Sequence, residues 1–327
     1  MRIFVYEVRA DEQAALKSLS EELMVELELS DAVPSMDNAA LTTGYEGVSI
    51  LGQGRIDAAL LDAWYANRVR YLSTRTIGYN HIDMEHAKQL GMQVCNATYA
   101  PNGVADFTVM LMLMSLRNYK QALWRGQVND FALNGLQGQE MKDLTVGIVG
   151  TGRIGQQVMK NLSGFGCKMI CYDGYQNETA KALGKYVDLD TLWQESDVIT
   201  LHTPLLDSTY HIVNRESIAK MKGGVVIVNC ARGELMDIDA LVEGIENDKI
   251  GALAADTLEG EEGIIHSDRR IDILKNRNWF YLHQFRNVIM TQHMAFYTDA
   301  AVKNMVRCGI EGICQMKKGM KCATQLV

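Results

Sequence analysis

The chain has 327 residues, 47% of them apolar and 22% charged, with a formal net charge of −8 and a pI near 5.4. This length exceeds the ~250–300 residues at which single cores stop growing, so two domains are expected. The acidic balance argues against nucleic acid as a partner, since a polyanion needs a basic surface to displace its counterions, and no stretch approaches the ~20 apolar residues of a membrane span.

The first elements alternate. Strands are predicted at residues 3–6, 47–51, 71–74 and 93–96, and helices at 12–23, 56–67 and 83–90. Such alternation implies a parallel sheet. Pro101-Asn102-Gly103 breaks the pattern and opens a long helix, predicted over residues 104–124, with a continuous apolar middle. Four apolar or small residues at 146–149 then form a buried strand ahead of Gly150-Thr151-Gly152-Arg153-Ile154-Gly155. In this pattern the glycines allow a tight turn, close backbone approach to a pyrophosphate and helix packing on the strand. Ile154, Val158, Leu162 and Phe165 recur at helical spacing, so this helix has one apolar stripe to bury while its N-terminus faces the phosphates. Residues 168–172 read as a second strand, and Asp173 stands 18 residues after Gly155, the place of the acid that binds a ribose 2′-OH. A carboxylate there repels a 2′-phosphate, and no arginine lies in Gly174-Tyr175-Gln176, so NAD is expected rather than NADP.

Further strands are expected at 198–202, 225–229, 253–256 and 288–291, and a last helix at 299–316. Ligands of doubly wound sheets bind at the carboxyl ends of strands, which draws attention to Arg75, Tyr99, His202, Arg232, Glu261 and His293. Arg232 presents a planar, two-pronged donor suited to a carboxylate. His293 and Glu261 suggest an acid/base pair, because reducing a carbonyl by hydride leaves an alkoxide that needs a proton, and a carboxylate on the other ring nitrogen orients the histidine. Tyr6, Tyr45, Leu51, Tyr99 and Phe296 are candidates to shape a side-chain pocket.

Seven cysteines, Cys95, Cys167, Cys171, Cys230, Cys308, Cys314 and Cys322, are scattered without a CxxC pair. They read as reduced thiols, and the N-terminal residues do not have the regions of a signal peptide, so a cytoplasmic location is expected. Neither Cys nor His shows metal-ligand spacing, and no metal is expected. The positive stretch Lys317-Lys318 with Lys321 reads as a solvated helix face.

Over nearly its whole length the sequence resembles the D-isomer-specific 2-hydroxyacid dehydrogenases, most of all the D-lactate and D-2-hydroxyisocaproate branch. The blocks that carry this are STRTIGYNHID at 73–83, NATYAPNGVAD at 96–106, the glycine loop, LHTP at 201–204, NCARG at 229–233, DTLEGE at 256–261 and QHMA at 292–295. The resemblance implies α/β architecture with two doubly wound parallel sheets: a Rossmann NAD-binding domain at 101–297 inserted into a flavodoxin-like substrate domain at 1–100 and 298–327. It implies reversible reduction of a 2-oxo acid (pyruvate, 2-oxoisocaproate or phenylpyruvate) by NADH. Arg232 would hold the substrate carboxylate, His293 would be the acid/base and Glu261 its partner. Gly150, Gly152, Arg153, Ile154, Gly155, Asp173, Thr203, Pro204, Cys230, Ala231 and Asp256 would hold the cofactor, Asp256 at the nicotinamide amide. Ile77, Gly78, Tyr99 and Phe296 would join Arg232 around the substrate. A homodimer is implied, with the 104–124 helix as a contributor, and domain closure would exclude water. Three departures stand out: Gln292 where proline is usual, Met294 where threonine or serine is common, and Asp106 where glutamate is frequent. The alternatives are a glyoxylate/hydroxypyruvate reductase and a non-catalytic, NAD-sensing corepressor-like protein, since fold alone does not establish function.

Overall fold

The computed structural model describes residues 1–327, which separate into two compact units, Met1–Ala100 with Tyr297–Val327, and Pro101–Phe296. In the first unit the elements are β1 (Arg2–Val5), α1 (Gln13–Leu23), β2 (Glu26–Leu29), β3 (Gly47–Ile50), α2 (Ala58–Ala66), β4 (Tyr71–Thr74), α3 (Met84–Gln89) and β5 (Gln93–Cys95). Its sheet is wholly parallel in the order β2-β1-β3-β4-β5. Strand alternation sorts the core. Phe4, Val48, Ile50 and Leu72 face Leu60, Leu61 and Trp64, while Ile3 and Val5 face Leu16, Leu19, Val306, Ile310 and Ile313.

The C-terminal helix, Asp299–Lys317, therefore belongs to this first sheet. Its glycines explain how it docks. A Cβ on Gly312 would lie 2.5 Å from the Cys95 sulfur and one on Gly309 3.0 Å from Arg75 Cγ, so only glycine allows this approach. The tail then covers the sheet edge, with Leu326 N–H donating to the Val94 carbonyl at 2.8 Å.

Three sequence expectations are corrected in this unit. Arg75 is fully buried and structural: its Nε and Nη2 meet both Glu12 oxygens at 2.9 and 3.3 Å, and it also donates to Ser49 Oγ and to the Tyr6 and Glu7 carbonyls. Such a pair is costly to break because the remaining charge stays buried. Tyr6 and Tyr45 are core residues, packed around Phe4, rather than pocket walls. Strand β2 was not expected; its Glu-Leu-Glu-Leu run is largely exposed, pairs only with β1 and packs Leu27 against the core.

The second unit begins with α4 (Asn102–Leu116) and α5 (Tyr119–Gln127). The single helix expected over 104–124 is thus broken at Arg117-Asn118. Asn118 adopts φ 49°, a left-handed conformation asparagine tolerates, and the returning chain caps the break, Gln139 N–H donating to Leu116 O at 3.0 Å and Asn118 Nδ2 to Gln137 O at 3.0 Å. Then follow β6 (Thr145–Val149), α6 (Arg153–Leu162), β7 (Lys168–Tyr172), α7 (Glu178–Leu183), β8 (Lys185–Tyr186), α8 (Leu189–Glu195), β9 (Val198–Leu201), α9 (Arg215–Lys220), β10 (Val225–Asn229), α10 (Ile238–Glu246), β11 (Ile250–Ala255), α11 (Arg277–Gln284) and β12 (Val288–Met290). The sheet is parallel in the order β12-β11-β10-β9-β6-β7-β8. Helix α6 buries Gly155, Val158, Met159 and Leu162; Phe165 lies beyond its end and is exposed, so the expected stripe turns toward Met159. Lys120 braces the end of α11, its Nζ donating to the carbonyls of His283, Phe285 and Val288 at 3.0, 2.9 and 2.6 Å, and burial lowers its pKa.

Candidate active site

In the second sheet the chain order reverses between β6 and β9, the switch point at whose carboxyl ends a doubly wound sheet takes its ligand. Gly150 (φ +96°) ends β6, and a Cβ there would lie 2.6 Å from the His202 carbonyl group, which follows β9. A Cβ on Gly155 would lie 2.1 Å from Gly150 O. These two glycines let loop, helix and neighbouring strand close up. Gly152 differs: a Cβ there meets nothing within 4 Å, which leaves open space beside the first turn of α6, where the N–H groups have no acceptor within the helix. This electropositive turn fits a pyrophosphate. Arg153 and Ile154 are its first residues.

Asp173 follows β7 and is tied to the same loop. Its Oδ2 accepts from Thr151 N–H at 2.6 Å and Thr151 Oγ1 at 3.1 Å, and its Oδ1 from Tyr175 N–H at 2.9 Å. Each oxygen accepts two donors, so Oδ1 keeps capacity for a ribose hydroxyl. Asp173 borders a cleft of about 580 Å³ lined also by Gln176, Tyr186 and Asp188. The residues present therefore fit a dinucleotide with a free ribose diol.

Thr203 and Pro204 follow β9, and Cys230 and Ala231 follow β10. The Cys230 side chain is buried, its thiol pKa pushed up to about 12 by burial and by Asp256, so its sulfur stays a protonated thiol. His202 donates to or accepts from Thr200 Oγ1 at 2.9 Å, and burial pushes its pKa down to about 3, so it is neutral.

Arg232 stands three residues beyond the end of β10. Asn229 sets its loop, accepting from Ala231 N–H at 3.0 Å and donating to Arg232 O at 2.8 Å, while Arg232 Nη1 donates to Ala231 O at 2.7 Å. The following glycine is required by packing. A Cβ on Gly233 would lie 2.2–2.6 Å from the Leu258 and Glu259 backbone, so the arginine loop rests directly on the DTLEGE loop. That loop carries Glu261, whose Oε1 lies 2.7 Å from His293 Nδ1 and whose Oε2 accepts from Leu258 N–H at 3.2 Å. With Nδ1–H on the carboxylate, Nε2 is the ring nitrogen without that hydrogen and can accept or, once protonated, give a proton. His293 itself is in a left-handed conformation, φ 52°. Phe296 and His266 lie beside it, ring centroids 6.3 and 6.2 Å away.

Asp256 has a role the sequence did not show. It is 2% exposed and accepts from Thr291 Oγ1 at 2.5 Å, Met294 N–H at 2.8 Å and Ala295 N–H at 2.8 Å, gripping the turn that carries His293. The Met294 contact is made through backbone, so the departure at this position leaves it intact, and the Gln292 side chain is exposed. A second pairing on the same loop was also missed: Glu259 meets His211 Nε2 at 3.0 Å and Tyr210 OH at 3.3 Å. The only hint in the sequence was three carboxylates within DTLEGE. Asp106 Oδ1 accepts from Asn161 Nδ2 at 2.7 Å, joining α4 to α6.

In the first unit, Ile77 and Gly78 form an exposed or half-buried turn after β4, with their carbonyls already engaged by Asn96 Nδ2 at 2.7 Å and Thr76 Oγ1 at 2.6 Å. Tyr99 is half-buried after β5. No group of three or more His, Cys, Asp or Glu side chains is arranged to hold a metal, and no helix is long and apolar enough to cross a membrane.

Residues 109–295, more than half of the chain, match the family model for the D-isomer specific 2-hydroxyacid dehydrogenase, NAD binding domain. The chain belongs to that family. It is an NAD-dependent D-2-hydroxyacid dehydrogenase, with the two parallel-sheet α/β domains seen in its structural neighbours. This dehydrogenase is 44% identical to an aromatic 2-oxoacid reductase of Clostridium sporogenes over 100% of its own length and 99% of the relative's. It is 40% identical to a D-specific alpha-keto acid dehydrogenase of Enterococcus faecium, covering 93% of each chain. The NAD-complexed D-isomer specific 2-hydroxyacid dehydrogenase of Lactobacillus delbrueckii ssp. bulgaricus superposes with a TM-score of 0.86 at 27% identity, covering 100% of both chains.

The depressed pKa of His202 sets an acid limb for the dehydrogenase. Between pH 3 and 6.5 the unfolded chain binds a proton at this residue that the folded one does not, so stability falls as pH drops through that window. The loss is at most about 1.4 kcal/mol per pH unit. Urea unfolding at pH 7 and pH 5 should show a smaller acid penalty in His202→Asn than in the wild type; equal penalties would refute the assignment.

Proposed function

We propose that the enzyme reduces 2-oxo acids with apolar side chains, phenylpyruvate, 2-oxoisocaproate and pyruvate, to the (R)-2-hydroxy acids, with Arg232, Glu261 and His293 as its catalytic residues. The observation that carries this is the 2.7 Å contact of Glu261 Oε1 with His293 Nδ1, on a loop packed against the Gly233 backbone beside Arg232. Bound NADH supplies the hydride to C2. Arg232 holds the substrate carboxylate in a two-pronged grip and draws electron density from the neighbouring carbonyl. His293 Nε2 delivers the proton to the carbonyl oxygen, and the negative Glu261 stabilises the imidazolium that precedes transfer. In the reverse direction Nε2 recovers that proton. Asp256 keeps the His293 turn in place.

The glycine loop and Asp173 are assigned to the cofactor, with the backbone of Thr203, Pro204, Cys230 and Ala231. Ile77 and Gly78 amides, Tyr99 and Phe296 are assigned to the substrate. An aromatic side chain heads the list because the 44% identical relative is an aromatic 2-oxoacid reductase. NADH oxidation measured across these three acids, glyoxylate and hydroxypyruvate tests the reading. Turnover should favour the apolar acids; preference for glyoxylate or hydroxypyruvate, or no turnover with any, overturns it.

The working unit proposed is a homodimer. Helix α5 and the chain after it expose five large apolar side chains within eleven residues, Leu123, Trp124, Val128, Phe131 and Leu133, the last at 83%, a concentration that marks association surfaces. Sedimentation should give twice the chain mass, and Leu123→Glu with Trp124→Glu should halve it; a wild-type monomer would refute the dimer. Seven free thiols favour the cytoplasm as the compartment.

A further inference from the structure

The first sheet also has a point where chain order reverses, between β1 and β3. In doubly wound sheets of this order the crevice at the carboxyl ends of those strands is where a ligand is taken. Here the protein fills it itself. Glu7, two residues beyond β1 and 2% exposed, turns its carboxylate across to the loop that follows β3. Oε2 accepts from the N–H groups of Leu51 and Gly52, the latter at 2.8 Å, and Oε1 from Gln53 at 2.8 Å and Gly54 at 3.1 Å. Four successive backbone N–H groups converging on one carboxylate form an anion nest, occupied by a side chain from another part of the chain. Glu7 adopts φ 56° to reach it, a strained conformation for a non-glycine residue.

The nest is mechanically joined to the segment assigned to the substrate carboxylate. Gly52 (φ +91°) packs on the His81 ring, where a Cβ would lie 2.9 Å from Cε1. His81 Nε2 lies 3.2 Å from Thr74 Oγ1, which lies 2.6 Å from Thr76 Oγ1, and that hydroxyl donates to Gly78 O at 2.6 Å. We propose that Glu7 is a positioning residue for substrate binding: its carboxylate orders the Leu51–Gly54 loop and, through His81, holds the Ile77-Gly78 turn. This rests on the reading of Ile77 and Gly78 as carboxylate-binding amides.

Glu7→Ala empties the nest while leaving its four donors in place, so a small carboxylate can refill it. Steady-state kinetics with phenylpyruvate, or with the best acid of the panel, should show KM for the 2-oxo acid raised about tenfold, within the ~100-fold that a 1 Å misplacement costs. The KM for NADH and kcat should stay within roughly twofold, since the cofactor residues lie in the other unit. Formate should lower the raised KM and raise Tm in Glu7→Ala, with no such effect on the wild type and none from chloride at equal ionic strength. The isosteric Glu7→Gln, which keeps one acceptor oxygen, should give a smaller KM change and covers the case in which the alanine variant does not fold. An unchanged KM for the 2-oxo acid, an equal rise for NADH, or indifference to formate would overturn the proposal. The formate effect on Tm needs no substrate, so it stands or falls separately from the assignment of the reaction.

Discussion

Replacing His293 by alanine is expected to lower kcat for 2-oxo acid reduction by about 10²–10⁴-fold, the range a positioned general acid contributes. The geometry makes this the largest single loss. Glu261 holds Nδ1 at 2.7 Å, Asp256 grips the turn on either side through Thr291, Met294 and Ala295, and the ring therefore presents Nε2 in one orientation. Without the imidazole Glu261 has lost the ring it orients, and in the proposed mechanism the alkoxide must take its proton from water. Binding of NADH, followed by its fluorescence, should be nearly unchanged, because the glycine loop and Asp173 are untouched. Glu261→Gln should cost less than His293→Ala, since an amide can still accept from Nδ1–H but no longer stabilises the imidazolium. Near-normal turnover in His293→Ala would sink the mechanism.

Arg232→Lys should prove nearly as damaging, although the charge is kept. A lysine offers a point charge on a flexible stem, whereas a carboxylate beside a carbonyl is matched by the planar fork of arginine. We expect kcat/KM for the 2-oxo acid to fall by about 10²-fold or more, equivalent to at least ~2.7 kcal/mol of transition-state stabilisation. The loss should appear in both KM and kcat, because in the proposed mechanism the guanidinium both binds the acid and polarises the reacting carbonyl. Folding should be little affected: the loop is held by Asn229 and by the Gly233 contact with Leu258 and Glu259 rather than by the arginine side chain alone. A variant with wild-type KM for the acid would remove Arg232 from the substrate.

Much of the candidate site was legible because it lies in short local patterns. Glycines spaced between a buried strand and an amphipathic helix, an acid at the end of the next strand, and polar residues just beyond apolar runs are all contiguous in sequence. The pairing of Glu261 with His293 was expected from chemistry, since a proton donor at neutral pH needs an orienting carboxylate. Arg75 drew attention for the same reason that Arg232 did. Both follow strands, but Arg75 is enclosed by α1 and the C-terminal helix and finds Glu12, while Arg232 heads a loop.

By itself the sequence determined an α/β architecture and a dinucleotide with a free ribose diol, and it proposed three residues for the chemistry, because periodicity and loop motifs act within a few neighbouring residues. Only the tertiary structure decided the break between α4 and α5, the clasp of Glu259 on His211, and the filling of the β1/β3 crevice by Glu7. These depend on groups that meet across long stretches of chain, 48 residues between His211 and Glu259 and 47 between Glu7 and Gly54. A buried polar group must find partners wherever the fold brings them. Neither composition nor spacing encodes that choice, and packing makes it.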